Sequence, residues 1–113
     1  MATEVDPGEV EFQAQVEALR RHFLQSLPER RAALAAAWRD CADVGGESAW
    51  QCLRDVAHRL SGSAPCYGLD VVGELARSLD RLLSGKPPCR ERPVLAGAVA
   101  ELSAALDAAI ESS

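Results

Sequence analysis

Apolar residues recur along the chain at three- and four-residue spacings, the period of helices that bury one face. Phe12, Val16, Leu19, Phe23 and Leu27 form the first such stripe and predict a helix over residues 10–26. Ser26-Leu27-Pro28-Glu29 then reads as a capping box, with Ser26 at the N-cap, Glu29 three residues on, and Pro28 in a first turn where its missing N–H costs nothing. A second helix, over 28–42, carries Leu34, Ala35 and Trp38 on one face and stops before Val44-Gly45-Gly46. The third, over 47–64, opens at Glu47 or Ser48. It aligns Trp50, Leu53, Ala57, Leu60 and Ala64, with Val56 broadening the stripe, and runs until Pro65. After the link Pro65-Cys66-Tyr67-Gly68, a fourth helix over 68–84 carries Leu69, Val72, Leu75, Ala76, Leu79 and Leu82, widened by Leu83. The loop Ser84-Gly85-Lys86-Pro87-Pro88 leads to a fifth helix over 93–110, built on Leu95, Val99, Leu102, Leu106 and Ile110.

Long amphipathic helices joined by short connections favour antiparallel neighbours. The expected fold is therefore all-α, an antiparallel up-down four-helix bundle with an additional N-terminal helix packed across or beside it. Neither an internal repeat nor an interdomain linker interrupts the 113 residues, so residues 1–113 read as one domain. Composition agrees, since only 4% of residues are aromatic while alanine abounds, which favours close-packed helices over strands.

A net charge of −5 removes the global positive field that would hold nucleic acid or anionic lipid. The opening MATEVDPGEVEF carries acids and no apolar signal core, and no apolar run approaches a bilayer-spanning length. A cytoplasmic protein with no membrane or nucleic-acid partner is expected. Cys41, Cys52, Cys66 and Cys89 are too widely separated for a C-x-x-C pair, which suggests reduced, mostly buried thiols and no metal site.

The third helix has a polar side formed by Gln51, Arg54, Asp55, His58, Ser61 and Gly62, residues that stack at three- and four-residue steps. Taken alone, His58 reads as an ordinary surface histidine. Its surroundings suggest more. Ala57-His58-Arg59-Leu60-Ser61-Gly62-Ser63-Ala64, then Gly68-Leu69, then Leu75-Ala76-Arg77-Ser78-Leu79-Asp80, resembles the histidine-containing phosphotransfer (HPt) domain without a gap. The physical reading is compatible: an exposed histidine offers a nucleophilic ring nitrogen without an activating base. Gly62, one turn on, removes a side chain that would otherwise cover that nitrogen. His22, within Arg20-Arg21-His22-Phe23, has no such context and reads as solvated or capping.

The resemblance implies a phosphorelay intermediate without kinase activity of its own. His58 would accept a phosphoryl group from a receiver-domain aspartate and pass it to a response regulator, with a hybrid sensor histidine kinase upstream. No Walker-type phosphate cradle points to ATP as direct substrate. No cofactor is expected on this chain, and Mg²⁺ is expected on the partner receiver domain. In the family a polar residue on the following helix often contacts the phosphorylatable imidazole, and the matching position is Asp80; Asp80 reads equally as one of a solvated row with Arg77 and Arg81. Arg54, Arg59, Ser61 and Gly62 complete the expected site. Phe23, Leu24, Arg77 and Arg81 are candidates for a partner interface, and a monomer is expected. Two positions depart from the family pattern: its usual lysine three residues after the histidine is Ser61, and its usual glycine seven residues after is Pro65, which should end the helix abruptly. The rival reading is an HPt-like docking module that binds two-component partners without being phosphorylated. A purely structural helical subunit, and an enzyme with its own active site, stand behind these two.

Overall fold

In the computed structural model, which describes residues 6–113, the first helix begins at a polar cap that the apolar stripe does not reveal. The Asp6 carboxylate accepts a hydrogen bond from the Gly8 N–H at 3.1 Å, and Pro7 sits in the first turn. Helix α1 accordingly spans Pro7–Gln25. Helix α2 (Leu27–Asp43) follows after Ser26 alone. The expected capping box does not form there. Ser26 has helical torsions (φ −83°, ψ −9°), whereas an N-cap hydroxyl needs an extended backbone to reach the N–H groups of the first turn. Its hydroxyl instead donates to the Phe23 carbonyl at 2.6 Å and accepts from Arg30 Nε at 2.8 Å.

Helix α3 (Glu47–Ser63), a single 3-10 turn (Ala64–Tyr67), helix α4 (Asp70–Ser84) and helix α5 (Arg92–Ser112) complete the order. The described residues form no strand, and α2 to α5 pack in cyclic order, each against two neighbours, as an up-down bundle. All four helices send fully buried leucines inward: Leu34, then Leu53 and Leu60, then Leu79, then Leu95, Leu102 and Leu106. Truncating any one to alanine costs about 2–5 kcal/mol in a well-packed core.

Pro65 ends α3 and opens the 3-10 turn, which closes at Gly68 with φ +81°, a torsion L side chains rarely adopt. The proline ring is seated directly against Gly73 of α4. A Cβ added there would lie 2.5 Å from Pro65 Cγ and 2.8 Å from its Cδ, so the departure from the family pattern at position 65 is matched by a missing side chain across the interface.

Besides the capping box, three expectations need correction. First, the α1 stripe is not packed along the bundle: Phe23 and Leu27 enter the core, but Phe12 and Leu19 are 65% and 56% exposed and Val16 is exposed as well. With α2 to α5 already closing the core on one another, the N-terminal part of α1 projects from it, and the molecule measures 63 × 28 × 21 Å. Second, of the thiols only Cys41 is buried; Cys89 is half-buried, and Cys52 and Cys66 are exposed. Burial pushes the Cys41 thiol above its ordinary value. Third, α5 is long and apolar enough, by length and composition, to cross a membrane, although its Leu95, Val99, Leu102 and Leu106 lie in the bundle core.

Candidate functional site

Helices α3 and α4 meet through small residues. Ala57 and Ala76 are both fully buried, and helices approach more closely where contacting side chains are small. The polar residues bordering that contact, His58 beside Ala57 and Asp80 one turn after Ala76, therefore reach one another. His58 Nδ1 lies 3.1 Å from Asp80 Oδ2. An ionised carboxylate only accepts, so Nδ1 carries the proton and donates it. The imidazole side chain is 73% exposed and the carboxylate 19% exposed. Nε2 has no hydrogen-bond partner among the described residues, so the ring is held at one nitrogen and open at the other.

Arg54, one turn before His58, places Nε 3.7 Å from Asp80 Oδ1. That separation is too long for a hydrogen bond, and Oδ1 is buried with no hydrogen-bond partner among the described residues. Arg54 thus acts on the carboxylate as a charge, weakened by its own exposure to solvent. Beyond it, the sequence reading overlooked two cations. Lys86 and Arg90 join Arg54 around a depression of about 210 Å³, with Glu47, Trp50 and Gln51 also in its wall. The Arg90 guanidinium lies 4.4 Å over the Trp50 ring. The basic side of the site extends from Arg54 toward the loop between α4 and α5, a juxtaposition that no local pattern announces.

The remaining expected residues fall in different places. Ser61 does not face the ring; its hydroxyl donates to the His58 carbonyl at 2.7 Å. A Cβ at Gly62 would come within 4 Å of nothing, the imidazole included, so only a side chain longer than alanine's could cover the nitrogen from there. Its bare surface leaves room for an approaching molecule. Arg59 points into a groove with Glu29, Arg30, Ala33, Val56 and Leu60, away from Asp80. Arg77 and Arg81 are exposed on α4 and form no ion pair among the described residues. Phe23 is not available to a partner: it is buried, its ring stacked on Tyr67 at 4.6 Å with the Arg30 guanidinium 4.7 Å over it. Leu24 beside it is half-buried, and His22 is exposed in the last turn of α1.

The arrangement is a nucleophile on an open helix face: one ring nitrogen is fixed by a carboxylate and the other is turned to solvent, with positive charge to one side. It suits a group delivered by another protein better than a small molecule enclosed by this one. The family model of the Hpt domain matches residues 18–112. No curated protein and no solved structure matches the chain.

Proposed function

The chain belongs to the Hpt domain family, the phosphoryl carriers of two-component phosphorelays, and from that premise we propose that His58 is its phosphoacceptor and Nε2 the reacting atom. The observation that supports this most strongly is the 3.1 Å hydrogen bond between His58 Nδ1 and Asp80, made by a ring whose other edge faces solvent. The Nε2 lone pair attacks the phosphorus of an aspartyl phosphate. A nitrogen–phosphorus bond forms while the bond from phosphorus to the acyl oxygen breaks, and the partner's carboxylate leaves with that electron pair. No proton need move, because Nδ1 keeps its own. The product is a phosphorylated imidazolium whose positive charge faces Asp80, and transfer to the next aspartate is the same step reversed.

Function as a carrier asks little catalytic machinery of this chain. It supplies a positioned nucleophile and a docking face. In this reading the donor and acceptor are receiver domains, the first on a hybrid sensor histidine kinase and the last on a response regulator, and the receiver brings the Mg²⁺ that neutralises charge on the transferring group. Arg54, Lys86 and Arg90 form a positive margin suited to a receiver's acidic pocket. The proposal includes a cytoplasmic location, supported by four free thiols, two of them exposed.

The test is intact mass at neutral to alkaline pH after exposure to phosphoramidate and, separately, to a phosphorylated Mg²⁺-loaded receiver domain. Wild type should gain one acid-labile phosphoryl adduct and lose it on addition of a second receiver; His58→Gln should gain none. A chain that binds the receiver yet gains no adduct, while an established HPt domain does, would instead establish the docking-module reading.

A further inference from the structure

The exposed stripe of α1 has no role in the site just described, and Phe12 and Val16 precede the matched family region, which begins at residue 18. Phe12, Val16 and Leu19 follow the four-three spacing of a coiled-coil seam, and all three are exposed. Charge along the same helix is divided. Asp6, Glu9 and Glu11 lie toward its start, Glu17 just past its middle, and Arg20 and Arg21 toward its end. Glu9 and Arg20 are eleven residues apart, three helical turns, so they flank the seam on the same side.

We infer that this seam is a self-association surface and that its occupant is the α1 helix of a second copy of the chain, lying antiparallel. A two-fold pairing of this kind sets Phe12 of each copy against Val16 of the other and brings each Glu9 to Arg20 of the other copy. A parallel pairing would instead set Glu9 beside Glu9 and Arg20 beside Arg20, with like charges repelling. At the root of α1 lies a depression of about 430 Å³ lined by Glu17, Arg20, Arg21, Leu24, Gln25 and Ser113, and the acidic tip of the second α1 reaches it in the antiparallel arrangement. The overlap, Pro7 to about Arg21, is roughly 22 Å of helix, shorter than interfaces that hold at nanomolar concentration, so the dimer is a concentration-dependent one. His58 on α3 is no part of this surface, and phosphotransfer does not depend on it.

Sedimentation equilibrium of the full chain, from about 1 μM to about 1 mM, tests this, with far-UV circular dichroism confirming helix content in each variant. Wild type should move from 12.1 kDa toward twice that mass. Phe12→Ala, which keeps helix propensity, should weaken association on the order of a hundredfold. Glu9→Arg and Arg20→Glu should each weaken it roughly tenfold, and the two together should restore it, because the pair is rebuilt with its signs exchanged. A single 12.1 kDa species at every concentration overturns the inference. So does a dimer indifferent to Phe12→Ala, and a charge-reversed double variant no better than its singles overturns the antiparallel arrangement.

Discussion

Replacing Asp80 with alanine removes the hydrogen-bond partner that the imidazole has among the described residues while leaving the nucleophile itself in place. The contact joins Nδ1 to a carboxylate oxygen at 3.1 Å, with the carboxylate mostly buried and the ring mostly exposed. A hydrogen bond to a charged group is worth about 1.5–3 kcal/mol, and the 73% exposure of the ring places this one at the low end. Coulomb attraction between Asp80 and a ring turning cationic falls in the same range, between about 1 kcal/mol in water and about 4 kcal/mol near a protein surface at 4 Å. In a loose transition state only part of that charge has developed. About 1.5–2 kcal/mol remains, which is a slowing of roughly 10- to 30-fold. Single-turnover transfer from a phosphorylated receiver, quenched at alkaline pH and read by intact mass, measures it. Phosphoramidate as donor separates the chemical effect from docking, and circular dichroism should report the same helix content as wild type. Asp80→Asn keeps an acceptor for the Nδ1 proton without the charge, and should fall between the two. Rates within twofold of wild type for Asp80→Ala, with both donors, would refute the assignment of tautomer and charge to this residue.

Other outcomes follow from the same geometry. Arg54→Ala should slow transfer only about two- to fivefold, and its deficit should shrink as salt rises, because Arg54 acts through a screened charge; stopped-flow rates at two ionic strengths check both. Gly73→Ala improves helix propensity but drives a Cβ into the Pro65 ring, and should lower stability by about 1–2 kcal/mol, seen as a lower urea midpoint with an unchanged slope. Timed alkylation near pH 8 should label Cys52 and Cys66 first, Cys89 later and Cys41 last. Burial holds the Cys41 thiol above its ordinary 9.0, so the unfolded chain releases that proton first. The stability Cys41 contributes is present below that range and declines as pH rises through it, which urea midpoints at neutral and alkaline pH would register.

What periodicity conveys is which side of a helix is apolar, and for α3 and α4 that sufficed. Their stripes are the buried faces, and His58 emerges on the polar side because Ala57, Leu53 and Leu60 are turned inward. Periodicity does not say whether a groove exists to receive a stripe. The α1 residues Phe12, Val16 and Leu19 obey the same spacing as Leu53, Ala57 and Leu60, yet they stand in solvent because four other helices complete the core. Sequence adjacency also misleads on a helix: Arg59 follows His58 directly but lies about 100° around the axis, whereas Arg54, one turn back, approaches Asp80. The capping tetrapeptide at Ser26 failed because its backbone torsions are decided by the continuation of α1 into α2, and the room for the Pro65 ring was not legible locally because Gly73, which leaves it, lies on another element. Phe23 resembled an interface residue for want of any local sign that Tyr67 and Arg30 would enclose it.

In the phosphorylated carrier proposed above, the phosphoryl group resides on Nε2 of His58 while Nδ1 keeps a proton directed at Asp80. Nitrogen-15 and phosphorus-31 magnetic resonance of the histidine-labelled, phosphorylated chain at alkaline pH addresses it directly. The expected result is a one-bond phosphorus coupling to Nε2 of His58, a protonated Nδ1, and no such signal in His58→Gln. Coupling to Nδ1, or phosphorus bound at any residue other than His58, would contradict it.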